Sequence, residues 1–121
     1  MSNNILDNGH WDYTKLLCYQ KAVVIYDLTY HFCSRFIAKS DRTFDQMVQA
    51  ARSGKQNIVE GYTDATTSFE IAIKLYNIAR GSLKELLEDY RDYMRARHLV
   101  EWDMTSREVN AMREIGRKHT D

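Results

Sequence analysis

Proline is missing from this 121-residue chain, so no helical pattern is interrupted by a ring that lacks its backbone donor. Cysteine is nearly missing too, with two residues, Cys18 and Cys33. They fall fifteen positions apart in what reads as one helix, about 22 Å along its axis, which excludes a disulfide within the chain. Both are expected to be small buried hydrophobes. Net charge is absent: seventeen basic residues balance seventeen acidic ones, whereas a dedicated nucleic-acid binder carries a basic excess. No apolar run approaches the ~20 residues that span a bilayer. Met1 to His10 has no basic stretch followed by an apolar core, so a signal peptide is not expected and a cytoplasmic location follows by default.

What is present is the composition of a globular protein, 44% apolar, 28% charged and 12% aromatic, which argues against disorder. A chain of this length fits one domain, residues 1–121, burying roughly two-thirds of its unfolded surface, with 1–12 expected to be a flexible N-terminal segment. No segment alternates with period two. All the apolar patterns are helical. Helix 1 is predicted from Tyr13 to Ala38, with Leu16, Tyr19, Val23, Tyr26, Tyr30, Cys33 and Ile37 stepping by three and four along an inward seam. Helix 2 starts near Thr43, where Thr43 and Gln46 have capping-box spacing, and stops at Gly61. Its inward residues are Phe44, Met47, Val48, Ala51, Gly54, Ile58 and Val59.

Helix 3 opens at a second such box, Thr67 with Glu70, and continues to about Arg97. Ile71, Leu75, Ile78, Ala79, Ser82, Leu86, Tyr90 and Tyr93 are expected to face inward. Helix 4 runs from Thr105, boxed with Glu108, to Gly116; Met104 and Val109 have staple spacing, and Val109, Met112 and Ile115 face the core. Short connections between four amphipathic helices give an all-α, antiparallel up-down-up-down four-helix bundle. Pairing helices 2 and 3 sets Gly54 level with about Leu75 and Gly81 near Met47. Both glycines are read as points of close backbone approach, since glycine within a helix costs about 1 kcal/mol against alanine.

Three stretches resemble a known family. Residues 46–61, QMVQAARSGKQNIVEG, and 76–90, YNIARGSLKELLEDY, are similar to the two signatures of the 23S ribosomal RNA intervening-sequence four-helix-bundle proteins, and 18–22, CYQKA, to their helix 1 motif. The match runs from Leu16 to Trp102 with motif order kept. Two features differ: Lys39, Ser40, Asp41 and Arg42 stand where the family has a proline-bearing loop, and the chain is neutral where related accessory proteins of diversity-generating retroelements are basic. The resemblance implies a bundle without established enzymatic activity, assembly as a ring of five, and an association with RNA or DNA.

Chemistry finds little foothold. The four histidines, His10, His31, His98 and His119, have no second ligand three or four residues away on the same face, and the Glu-x-x-His pairs of bundle metal sites are absent. No cofactor, metal site or catalytic residue is expected. Glu85, Glu88, Asp89 and Asp92 alternate with Lys84, Arg91 and Arg95 and read as a solvated face of helix 3. Tyr19, Tyr26 and Tyr30 read as core rather than as a platform for stacking bases.

Three surfaces are left as candidates. Leu17, Val24 and Leu28 on helix 1, with Phe69, Ile73, Tyr76, Leu87 and Met94 on helix 3, form apolar stripes that a monomer would leave wet and that suit an oligomer interface. Gln46, Gln49, Ser53, Asn57 and Glu60 form a polar arc of helix 2 opposite its core residues, fit for a neighbouring subunit or protein partner. Arg91, Arg95 and Arg97, beside Arg113, Arg117 and Lys118 on an adjoining helix, would form a basic patch for weak nucleic-acid binding. The expected function is that of a non-enzymatic, oligomeric interaction platform, with a nucleic-acid accessory role as the alternative.

Overall fold

A computed structural model describes residues 12–120 of the chain, without side-chain detail at positions 116, 119 and 120. The expected N-terminal segment, apart from Asp12, falls outside the described residues, as do Gly9 and His10. A single 3₁₀ turn over Tyr13–Lys15 leads into α1 (Leu17–Phe36), α2 (Arg42–Asp64), α3 (Phe69–Ala96) and α4 (Arg107–Thr120). These helices are 20, 23, 28 and 14 residues long, and no strand occurs among the described residues. The protein is all-α.

Each helix start lies one or two residues from the threonine expected to cap it. Asp41 accepts a hydrogen bond from the Thr43 amide at 2.9 Å, Ser68 from Ile71 at 3.2 Å, and Ser106 from Val109 at 3.1 Å. The cap is whichever short polar residue keeps an extended backbone while the next turn coils, as Asp41 and Ser68 do. Moving the last cap to Ser106 shifts the frame in which Met104 and Val109 would form a staple. Helix ends shift as well: α1 stops at Phe36, α2 continues past Gly61 to Asp64, and α4 passes Gly116. The end of α3 agrees with expectation. His98 adopts a left-handed conformation (φ 58°), its amide bonding Arg95 O at 3.1 Å and the Leu99 amide bonding Met94 O at 2.8 Å. That is a Schellman closure with histidine in the usual glycine position.

α2 is the central helix. Against α1 its contacts run Ile58 with Ala22, Lys55 over the Tyr26 ring, and Met47 with Cys33. Against α3 they run Gly61 with Tyr76, Gly54 with Leu83, and Ser53 with Ser82. From Ile58–Ala22 to Met47–Cys33, and from Gly61–Tyr76 to Gly54–Leu83, one residue number falls as the other rises. The backbones of α1 and α3 stay apart, and aromatic rings fill the distance: Phe32 lies 5.1 Å from Tyr90 and 4.9 Å from Tyr93 between centroids. Beside them Thr29, fully buried, shares a 2.8 Å hydrogen bond with the Tyr90 hydroxyl.

The buried lines differ from the expected seams. On α1 they comprise Ala22, Thr29 and Cys33, followed by Ile37; Tyr30 is exposed, edge-on to Phe44, and Cys18 is exposed rather than buried. On α3 Ala72, Ala79 and Leu86 are buried, while Ile71 and Ile78, expected inward, are exposed. Small residues occupy the crowded contact with α2, and the larger ones flank it. Gly61, expected as a helix end, is a packing position inside α2 under the Tyr76 ring. Gly54 faces Leu83 rather than Leu75, and Gly81 has open space where a neighbouring backbone was expected.

α4 is the outlier. Among helices its backbone approaches only α1, standing off α3, and so Met112 and Ile115 are about half exposed instead of buried, with Val109 partly covered.

Candidate interaction surfaces

Ten apolar residues are buried among those described, four of them alanines and one a cysteine, whereas sixteen large apolar residues are exposed. An isolated exposed leucine means little, but an excess of this kind needs a cover. Leu17, Leu28, Phe69, Ile73, Tyr76 and Leu87 all belong to the exposed set, with Phe69 the most open of the six at 73%. Val24 does not. It is partly buried in a groove between α1 and α4, with Ile25, Trp102 and Met112 as apolar neighbours and Lys21 and Arg113 at its edge. Met94 is also partly buried. The exposed apolar surface extends past the two expected stripes to Ile71, Ile78, Leu99, Val100 and Trp102.

Two of the five polar residues expected opposite the packing face of α2 lie against α3 instead. Ser53 shares a 2.8 Å hydrogen bond with Ser82 of α3, and Asn57 donates to Ser53 O at 2.8 Å and to Ser53 Oγ at 3.1 Å. These two belong to the α2–α3 seam. Gln46, Gln49 and Glu60 are exposed. Gln46, Gln49 and Ser53 line one wall of a groove of about 780 Å³ whose other wall is Ser82, Glu85, Glu88 and Asp89. The Asp89 carboxyl is raised above the ordinary aspartate range, by burial first and then by Asp92 and Glu85 beside it. Along the acidic run of α3, Glu88 and Asp92 pair with Arg91 and Arg95, while Glu85, Glu88 and Asp89 all line the groove. The sequence carried a sign of it: Ser82, Glu85 and Asp89 continue the spacing of Ile71, Leu75 and Ile78.

The arginines do not gather into one patch. Arg91 contacts Glu88 at 3.1 Å and Glu101 at 3.2 Å, and Arg95 contacts Asp92 at 2.7 Å. Arg97 stacks on Tyr93 with 3.6 Å between guanidinium carbon and ring centroid. Arg113 and Arg117 line the α1–α4 groove, away from α3; Arg117 contacts Glu114 at 2.6 Å, and Arg113 reaches the Met104 sulfur at 3.9 Å. The expected juxtaposition required α4 to pack beside α3, and it packs on α1.

Among the described residues no group of three or more histidine, cysteine or carboxylate side chains has metal-binding geometry. His31 and His98 are exposed and separate. No described helix is long and apolar enough to cross a membrane. Compared with protein-family models, curated proteins and solved structures, the chain matches none.

Proposed function

We propose that this protein is a non-enzymatic, cytoplasmic four-helix protein that self-associates and serves as an interaction platform. One observation carries the reading: among the described residues more large apolar side chains are exposed than fully buried, and many of the exposed ones sit on α1 and α3. Covering a leucine or phenylalanine is worth about 1.5–3 kcal/mol, so joining several such residues between copies favours assembly even after the loss of rotational and translational freedom. The resemblance to the intervening-sequence proteins supports assembly as a ring of five. It also supports a nucleic-acid accessory role as the alternative, for which Lys21 and Arg113, neither paired with a carboxylate among the described residues, offer local positive charge.

The test is mass in solution by light scattering at micromolar concentration. The wild type should exceed the mass of one chain, and Leu28→Lys with Ile73→Lys should reduce it while leaving the helical spectrum intact. Both positions are about half exposed, so lysine there does not disturb the core. A monomeric wild type would remove the proposal. Nucleic acid retained by the wild type on purification would favour the accessory role.

A further inference from the structure

A cleft of about 1030 Å³ lies where α4 meets α1, at the upper end of the size range of small-molecule sites. Its apolar lining comes from three places: Val24 and Ile25 of α1, Val109 and Met112 of α4, and Trp102 in the connection before α4. Val24, Ile25 and Val109 are partly covered, whereas Trp102 and Met112 stay about half exposed. α4 approaches no helix backbone besides α1, so nothing from α2 or α3 closes over these side chains. The α4 wall from Val109 to Arg117 extends about 12 Å, enough for an unbranched chain of medium length to lie along it.

The polar part of the lining is electropositive, although the chain as a whole is neutral. Lys21, Arg113 and Arg117 stand against a single carboxylate, Glu114, which contacts Arg117 at 2.6 Å. Neither Lys21 nor Arg113 has a carboxylate partner among the described residues. An ammonium and a guanidinium beside an apolar floor complement a ligand with one anionic end and an apolar body. A guanidinium holds a carboxylate through two parallel hydrogen bonds. Glu114 in the same lining opposes a second negative charge, which favours a carboxylate over a phosphate dianion. The α2–α3 groove has the opposite sign, with Asp45, Glu85, Glu88 and Asp89 in its lining, and disfavours the same ligand.

We propose that the α1–α4 cleft binds a single-chain carboxylate of the fatty-acid type, its head taken by Lys21 and Arg113 and its chain laid over Val24, Trp102 and Met112. The chain removes from water the apolar area that α4 leaves uncovered. This site goes beyond self-association and does not depend on it, so a monomeric wild type leaves the cleft in place.

Trp102 reports on the cleft directly. In a Trp11→Phe background it is the sole tryptophan, and decanoate added below its micelle-forming concentration should move its emission to shorter wavelength and saturate. Decanoate should bind about tenfold more tightly than octanoate, since each covered methylene contributes a factor of up to about four, equivalent to about 0.8 kcal/mol. Decanol and decyltrimethylammonium, which lack the anionic head, should each bind at least about tenfold more weakly than decanoate. Lys21→Gln with Arg113→Gln should weaken decanoate by about the same factor and leave decanol unchanged. Both positions are exposed, so the helical spectrum of this variant should match its parent. Trp102 emission unmoved by decanoate, decanol binding as tightly as decanoate, or a double variant that binds decanoate like its parent would each overturn the assignment.

Discussion

Gly54 and Gly81 occupy equally regular turns of helix in opposite surroundings. A Cβ added at Gly54 would sit 2.6 Å from Leu83 Cδ2 and 2.7 Å from its Cγ, whereas one added at Gly81 meets nothing within 4 Å. Replacing either glycine with alanine gains about 1 kcal/mol of helix propensity. At position 54 overpacking opposes this with about 1–3 kcal/mol. Gly54→Ala should therefore lower the melting temperature and Gly81→Ala should raise it by a few degrees, the scale set by about 1 kcal/mol in a domain of this size. Equal shifts of one sign would show that the α2–α3 contact at Leu83 is looser than described. Asp89 allows a second residue-level test. Its folded-state proton affinity is raised, so its contribution to stability is complete below the ordinary aspartate value of 3.8 and is lost as pH rises through the higher folded value. Asp89→Asn should accordingly be more stable than its parent at neutral pH, and the two should converge as pH falls below 3.8. Denaturant unfolding across pH, in the Leu28→Lys, Ile73→Lys background so that association does not intrude, gives the comparison. A parent more stable than the Asn variant at pH 7 would contradict the stated surroundings of Asp89.

At the scale of elements, the caps make the sharpest contrast. Ser68→Ala removes the acceptor of the Ile71 amide and should cost about 1 kcal/mol, whereas Thr67→Ala, one residue earlier, should cost little. Thermal melts of the pair decide between the observed start of α3 and the one expected from the Thr67–Glu70 box. This also marks how far the sequence could be read. The four helices and the interior of α2 followed from periodicity, because Phe44, Met47, Ala51 and Ile58 occupy one narrow face that a single period describes. The boundaries did not, since Asp41 and Thr43, or Thr67 and Ser68, satisfy the same local pattern until the chain direction is known. The seams of α1 and α3 were misplaced for a different reason. Both carry apolar residues around much of their circumference, and rotation is then decided by which small residues fit against α2, namely Ala22 on one and Ala72 and Ala79 on the other. The candidate surfaces show the same limit. The apolar residues of α1 and α3 were legible from composition on the wheel, but Val24 is partly covered because α4 lies on α1, a tertiary fact.

The whole molecule is neutral, and its charges are arranged so that the expected arginine patch is mostly cancelled. Arg91, Arg95 and Arg117 each lie beside a carboxylate at 3.2 Å or less, and Arg113 alone of the four has none among the described residues. Exposed ion pairs of this kind are worth about 0–1 kcal/mol, so a phosphate could displace the carboxylates, yet these would remain well inside the ~8 Å screening length at physiological salt. Phosphate binding releases counterions in proportion to the charge neutralised, with log K falling against log salt at about −0.9 per phosphate contact on duplex DNA. Four independently engaged arginines would thus contribute a slope of about −3.6, and Arg113 alone about −0.9. Binding of a fluorescent DNA hairpin across a salt series should be weak, and substituting alanine at Arg91, Arg95, Arg113 and Arg117 together should flatten the slope by about 1 per bound subunit rather than by about 4. Assembly can still strengthen binding, because each further subunit on the same strand acts at raised effective concentration. The dissociated Leu28→Lys, Ile73→Lys variant should therefore bind more weakly than the wild type without losing any arginine. Tight binding by that variant, or a slope change near 4 on removing the four arginines, would mean that phosphates displace the ion pairs and that the accessory role outranks the platform.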